Sequence, residues 1–177
     1  SSRLMEILIT NDDGWGAKGI LTIVRIMSSL GHVTVVAPDG ARSGMSNAIT
    51  VAQPIYLRPL NDPNWGTEEW QKNVTVYTTN GTPSDCVKLA IDVICEGDSS
   101  RINLLVSGIN HGSNAGINVI YSGTMGACFV GAEHGIPSIG YSIDDHSPEA
   151  DFSHMEKYIL ELTKHLLEEK MPYGVCY

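Results

Sequence analysis

Two adjacent carboxylates, Asp12 and Asp13, follow a short apolar run and precede Gly14, Gly16 and Gly19 in the stretch ILITNDDGWGAKG, residues 7–19. Such a junction serves one of two chemistries. A carboxylate pair at a strand end offers hard oxygen donors to a divalent cation. A G-x-G-x-x-G turn instead lays bare backbone amides against the pyrophosphate of a dinucleotide. Gly14 to Gly19 satisfies that glycine pattern, and Asp39 closes the next strand where a ribose-binding acid belongs. The carboxylates weigh against it, because two ionised aspartates repel a pyrophosphate unless a cation reverses the local field. The metal reading is preferred.

Two more polar clusters support it. APDGARSGMSN carries Asp39, Arg42, Ser43 and Ser46, and SGINHGSNAG sets Asn110 and Asn114 among glycines. Carboxylate, hydroxyl and amide oxygens suit Mg2+ or Mn2+. In the following IYSGTMGA, residues Ser122, Gly123 and Thr124 stand where a helix begins, so their amides and hydroxyls can grip a phosphate. The plainer alternative, caps and turns, suits any one cluster better than all of them together. His111 lies within a cluster and can be a proton shuttle, but is read first as an ordinary loop histidine. The four cysteines, Cys86, Cys95, Cys128 and Cys176, form no CxxC pair, which argues against structural zinc and for buried reduced thiols.

The elements that must position these clusters follow from periodicity. Residues 6–10 read as a buried strand. Residues 17–30 read as a helix with Ile20, Ile23, Val24 and Met27 on one face, stopped by a left-handed Gly31. HVTVVAP, residues 32–38, is the next strand, completing a β-α-β unit with parallel strands. Residues 48–57 and 74–79 are β-rich and predict a hairpin or two-stranded extension. The segment between carries Trp65 and Trp70, expected to pack locally rather than stack on a substrate base. Thr82 as N-cap, Pro83 at N1 and Asp85 at N3 open another helix. A strand at 103–108, a helix at 123–135 and a strand at 136–142 follow. A last amphipathic helix at 152–169 carries Phe152, Met155, Ile159, Leu162 and Leu166. Alternating strands and helices predict an α/β domain with a mainly parallel sheet.

Composition bounds the partners. The 177 residues suit one domain, and 42% hydrophobic with 18% charged residues fit a packed globular core. A formal net charge of −9 argues against a nucleic-acid groove or an anionic membrane surface, which recruit Lys and Arg. An anionic substrate then needs a local cation. No apolar run is long enough to span a bilayer, and SSRLMEILIT has no signal-peptide core. MPYGVCY starts like a new strand and stops, so the natural chain is expected to continue.

Taken in order, ILITNDDGWGAKGI, VVAPDGARSGMSNAIT, NGTPSDCV, LLVSGINHGSNAG, YSGTMGA and GIPSIGYS resemble the successive signatures of the SurE family of survival proteins, metal-dependent 5′-nucleotidases. The resemblance covers nearly the whole chain. It implies a Rossmann-like three-layer fold with a β-hairpin extension, a cytoplasmic location, a homodimer or homotetramer, and one divalent cation per subunit. By resemblance, Asp12, Asp13, Ser43 and Asn110 match the metal ligands, with Asp12, Asp13 and Asn110 catalytic. Asn11, Gly44, Asn114, Ser122, Gly123 and Thr124 then form the candidate phosphate-binding set. The implied reaction hydrolyses nucleoside 5′-monophosphates to nucleoside and phosphate, with 3′-nucleotides, other phosphate esters and short polyphosphates as further substrates. A cation on the aspartates would polarise the phosphate and acidify a water, the preferred nucleophile. A covalent aspartyl-phosphate fits less well, since adjacent aspartates lack D-x-D spacing. A metal- or nucleotide-binding sensor without turnover is the non-enzymatic alternative. Family members usually extend further, into a part that exchanges between subunits.

Overall fold

The computed structural model describes residues 5–40, 54–111, 124–143 and 156–169. Its frame is one six-stranded sheet. The strands are β1 (Met5–Thr10), β2 (Gly31–Pro38), β3 (Leu57–Pro59), β4 (Val74–Thr79), β5 (Leu104–His111) and β6 (Ser138–Ile143), in spatial order β3-β4-β2-β1-β5-β6. All neighbours run parallel except β3, which is antiparallel to β4. The helices are α1 (Lys18–Ser28), α2 (Pro83–Leu89), α3 (Thr124–Glu133) and α4 (Glu156–Glu168).

The central strands read as continuous apolar runs because helices cover both faces. Alternation then divides each strand between two cores. Ile7, Ile9, Val33, Val35, Leu104 and Val106 pack with Ile20, Ile23, Val24 and Met27 of α1 and Ile159 of α4. Leu8, Val36 and Leu105 face the other way, onto Cys86 and Val87 of α2 and Ala127 and Val130 of α3. The apolar stripe expected on α1 is the buried one.

Several expectations hold in detail. Thr82 caps α2 through a reciprocal box: its hydroxyl accepts from the Asp85 N–H at 3.2 Å, and the Asp85 carboxylate accepts from the Thr82 N–H at 2.9 Å. Cys86, Cys95 and Cys128 are buried, as expected. Trp65 and Trp70 meet edge to face, centroids 5.9 Å apart, and pack on the α1-side core.

Others are corrected. Gly31 is the first residue of β2 and lies outside the left-handed region. Glycine is required there for room, since a Cβ would stand 2.2 Å from the Met5 carbonyl oxygen. The β3–β4 pair is one edge of the main sheet, because β4 also runs parallel beside β2. Most of residues 48–57, with Phe152, Met155 and Cys176, lie outside the described residues. Past Leu89 the helix widens into a π-turn over Ala90–Ile94.

Candidate active site

From β1 the chain leaves towards β2 on one side, whereas β5 and β6 build the other side. The boundary between β1 and β5 is therefore the topological switch point, and ligands of open α/β sheets bind at the carboxyl ends of the strands there. Asp12 and Asp13 follow β1 directly, Asn110 lies on β5 in register with Ser142 of β6, and Thr124 opens α3. These predicted residues come from three separate stretches of sequence to one end of the sheet.

Asn11 builds the turn that presents the carboxylates. Fully buried, it donates from Nδ2 to the Gly14 carbonyl at 2.9 Å and accepts on Oδ1 from the Gly14 N–H at 3.2 Å. Gly14 holds φ +106°, a conformation that disfavours side chains. The Trp15 N–H donates to the Pro38 carbonyl at 3.1 Å, which ties the turn to the end of β2. Gly19 answers a different need: a Cβ there would lie 2.3 Å from the Ile109 carbonyl oxygen, so α1 packs hard against β5 beside Asn110. Gly16 meets nothing within 4 Å. Asp39, the residue a dinucleotide ribose would need, accepts a hydrogen bond from the Tyr56 hydroxyl. The glycines thus shape a turn behind two carboxylates.

Asp12 is 4% exposed, and its Oδ1 has no hydrogen-bond partner. Burial, reinforced by the neighbouring charge of Asp13, raises its carboxyl from 3.8 to about 6. Asp13 is half-buried. A buried carboxylate short of partners is costly, and a cation is what most directly offsets that cost.

Three further buried oxygens lack partners among the described residues: the hydroxyls of Thr10, Ser107 and Thr124. Thr10 and Ser107 face each other in register across β1 and β5, and Gly140 of β6 lies opposite Ser107. Thr124 stands over that row, its Cγ2 3.1 Å from where a Cβ on Gly140 would be. Elsewhere the buried hydroxyls are satisfied. Ser138 donates to the Ile136 carbonyl at 2.8 Å, Thr79 accepts from the Gly81 N–H at 3.0 Å, and Thr163 pairs with Tyr141 at 2.9 Å. Sequence reasoning passed over Thr10 and Ser107. Their signal is that each ends an otherwise apolar run, ILIT and LLVS.

Ser43, Gly44, Asn114, Ser122 and Gly123 lie outside the described residues, as do Arg42 and Ser46. Among the described residues, no group of three or more His, Cys, Asp or Glu could hold a metal. A cavity of about 970 Å3 opens at the opposite, amino-terminal end of the sheet. It is lined by the Glu6–His32 pair, 2.8 Å apart, with Thr75 and Arg101, and contains none of the predicted site residues. Among the described residues, no helix is long and apolar enough to cross a membrane.

The chain is 46% identical over 169 residues to the 5′-nucleotidase SurE of Christiangramia forsetii. It is 44% identical over 168 residues to that of Porphyromonas gingivalis and 42% over 170 residues to that of Phocaeicola vulgatus. These matches take in 96%, 95% and 96% of the chain, which spans 62% of the length of each relative. The fold is similar to the crystal structure of SurE protein from Aquifex aeolicus, with a TM-score of 0.76, 33% identity, and coverage of 95% of this chain and 62% of that one. The family described as survival protein SurE matches residues 7–177, and with the sheet order and the strand-end clusters in place, the chain belongs to that family.

Proposed function

We propose that the chain carries the core of a divalent-metal-dependent phosphatase that hydrolyses nucleoside 5′-monophosphates to nucleoside and phosphate. The similarity to relatives named 5′-nucleotidase supports the substrate class. The observation that carries the reading is the gathering of every partnerless buried side-chain oxygen of the described residues, Thr10, Asp12, Ser107 and Thr124, at the switch point of the sheet. Buried polar groups are nearly always paired, so four unpaired ones gathered at one spot support a ligand site there.

The donor set fits a hard cation: Asp12 and Asp13 would hold it with Ser43 and Asn110, one ion per subunit, Mg2+ or Mn2+. When bound, the ion supplies charge neutralisation and Lewis acidity toward the phosphoryl group. The remaining work belongs to the chain. Asn11 and Gly14 fix the direction of the carboxylates. Thr124, with Ser122 and Gly123 before it, would grip phosphate oxygens where α3 begins, and Gly44 and Asn114 complete that set. Burial around Asp12 limits competing water, which strengthens each charge interaction. 3′-Nucleotides, other phosphate esters and short polyphosphates belong to the same proposal, because recognition centres on the phosphoryl group. So do a homodimeric or homotetrameric assembly and a cytoplasmic location.

The test is phosphate release across 5′-nucleotides, 3′-nucleotides and polyphosphate, with Mg2+, with Mn2+ and with chelator. Turnover is expected only with metal and strongest on 5′-monophosphates. Binding of nucleotide without turnover would make the chain a sensor instead.

A further inference from the structure

Thr10 and Ser107 are the least explained groups in the molecule. Both are fully buried, both hydroxyls lack a partner among the described residues, and they stand opposite each other on adjacent parallel strands. Neighbouring strands lie about 4.8 Å apart, so the two hydroxyls share one small polar spot. Thr10 points to the same face as Leu8, and Ser107 to the same face as Leu105, which is the side covered by α2 and α3. There the row Thr10–Ser107–Gly140 runs beneath the first turn of α3, with Thr124 above it.

The surroundings decide what such a spot attracts. A helix start presents unpaired N–H groups and the positive end of its dipole, both of which favour an anion. The ten-residue α3 has no acidic side chain in its first turn to compete. Glycine at 140 lets the first turn of α3 pack close over the row, since a Cβ there would meet the Thr124 Cγ2 and the Cys128 sulfur at 3.1 and 3.4 Å. Hydroxyls facing a helix start in a dry site act as donors to an oxyanion.

We propose that Thr10 and Ser107 form the floor of an oxyanion pocket, donating hydrogen bonds to a non-bridging oxygen of the phosphoryl group and holding inorganic phosphate after ester cleavage. The inference rests on the phosphatase reading and adds to it two residues and a contact that does not depend on the leaving group. The empty hydroxyls also carry a stability consequence. A buried donor without a partner is unfavourable, so an isosteric apolar replacement relieves the unliganded protein while removing a contact to the anion.

Thr10→Val and Ser107→Ala test this, with Thr10→Ser as the variant that restores the hydroxyl. Binding of inorganic phosphate is measured by calorimetry with saturating Mn2+, beside Mn2+ affinity alone and melting of the metal-free protein. Hydrogen bonds to charged groups predict phosphate affinity about ten-fold weaker or more in each of the first two variants. Mn2+ affinity should be unchanged, the melting temperature equal or higher, and Thr10→Ser close to the parent. KM should rise by one common factor for a nucleoside 5′-monophosphate and for p-nitrophenyl phosphate. Phosphate affinity within two-fold of the parent, with lower melting, would make the hydroxyls structural and overturn the proposal. Weakened Mn2+ binding would assign them to the cation, overturning the proposal while leaving the phosphatase reading intact. Failure of the parent to bind phosphate with any metal would overturn both.

Discussion

At the scale of the residue, Asp12 ties the stability of the fold to pH. Its carboxyl titrates near 6 in the fold against 3.8 when free, because burial and Asp13 both penalise the charge. Between those values the folded protein holds a proton that the unfolded chain has released. Stability of the metal-free protein therefore falls as pH rises from about 4 to about 6, by at most about 3 kcal/mol, and stays low above that. Chemical denaturation in chelator across this range should show the fall, and Asp12→Asn should flatten it. A parent curve that rises with pH through the same window would contradict the assignment. The same substitution, or Asp13→Asn, removes charge from the proposed cation site and should weaken Mn2+ binding about a hundred-fold or more by calorimetry. Unchanged affinity in both variants would put the cation elsewhere. The sequence displayed this pair plainly, since adjacent aspartates after an apolar run are unusual. It did not display the work of Asn11, whose amide closes the turn through Gly14, nor the hydroxyls of Thr10 and Ser107. A threonine or serine at the end of an apolar run looks like any strand end until the register places the two opposite each other.

At the scale of the element, what was legible was what periodicity and capping encode. The buried stripe of α1 and the Thr82–Asp85 box of α2 depend on residues within two turns of one another, so spacing alone reveals them. Thr82→Ala should accordingly cost about 1 kcal/mol, read as a lower denaturation midpoint with Mn2+ binding intact. Normal melting with lost activity would give Thr82 a role in the site instead. Less legible were features set by contacts far along the chain. Gly31 is fixed by the Met5 carbonyl across β1 and β2, and Gly19 by the Ile109 carbonyl of β5, which no local pattern reports. Gly19→Ala would bring its methyl group within 2.3 Å of backbone and must push α1 off the strand that carries Asn110. It should destabilise by more than about 2 kcal/mol and weaken Mn2+ binding together. Intact stability in that variant would show the helix–strand contact to be looser than described.

At the scale of the whole molecule, the sheet order joins these parts. The order β3-β4-β2-β1-β5-β6 brings the ends of β1 and β5 together at the switch point, with α3 starting beside them. Alternating elements made the α/β class readable, but the strand order and the edge position of the β3–β4 pair are long-range pairings and were not. The same architecture hosts dinucleotide enzymes, so fold alone leaves the chemistry undecided. The turn weighs against a dinucleotide: Gly14 and Gly19 serve the chain's own packing, and Asp39 is engaged by Tyr56. An NADH fluorescence titration should accordingly give no signal. A metal dependence of phosphate binding follows from two ionised aspartates, which should admit a phosphate only when a cation reverses their field. It is tested most directly by phosphate release from a nucleoside 5′-monophosphate in EDTA and then after excess Mn2+, with the parent run beside Asp12→Asn. No release is expected in EDTA, full release on adding Mn2+, and little release from the variant in either condition. Release that persists in EDTA, or that survives Asp12→Asn undiminished, would contradict this expectation.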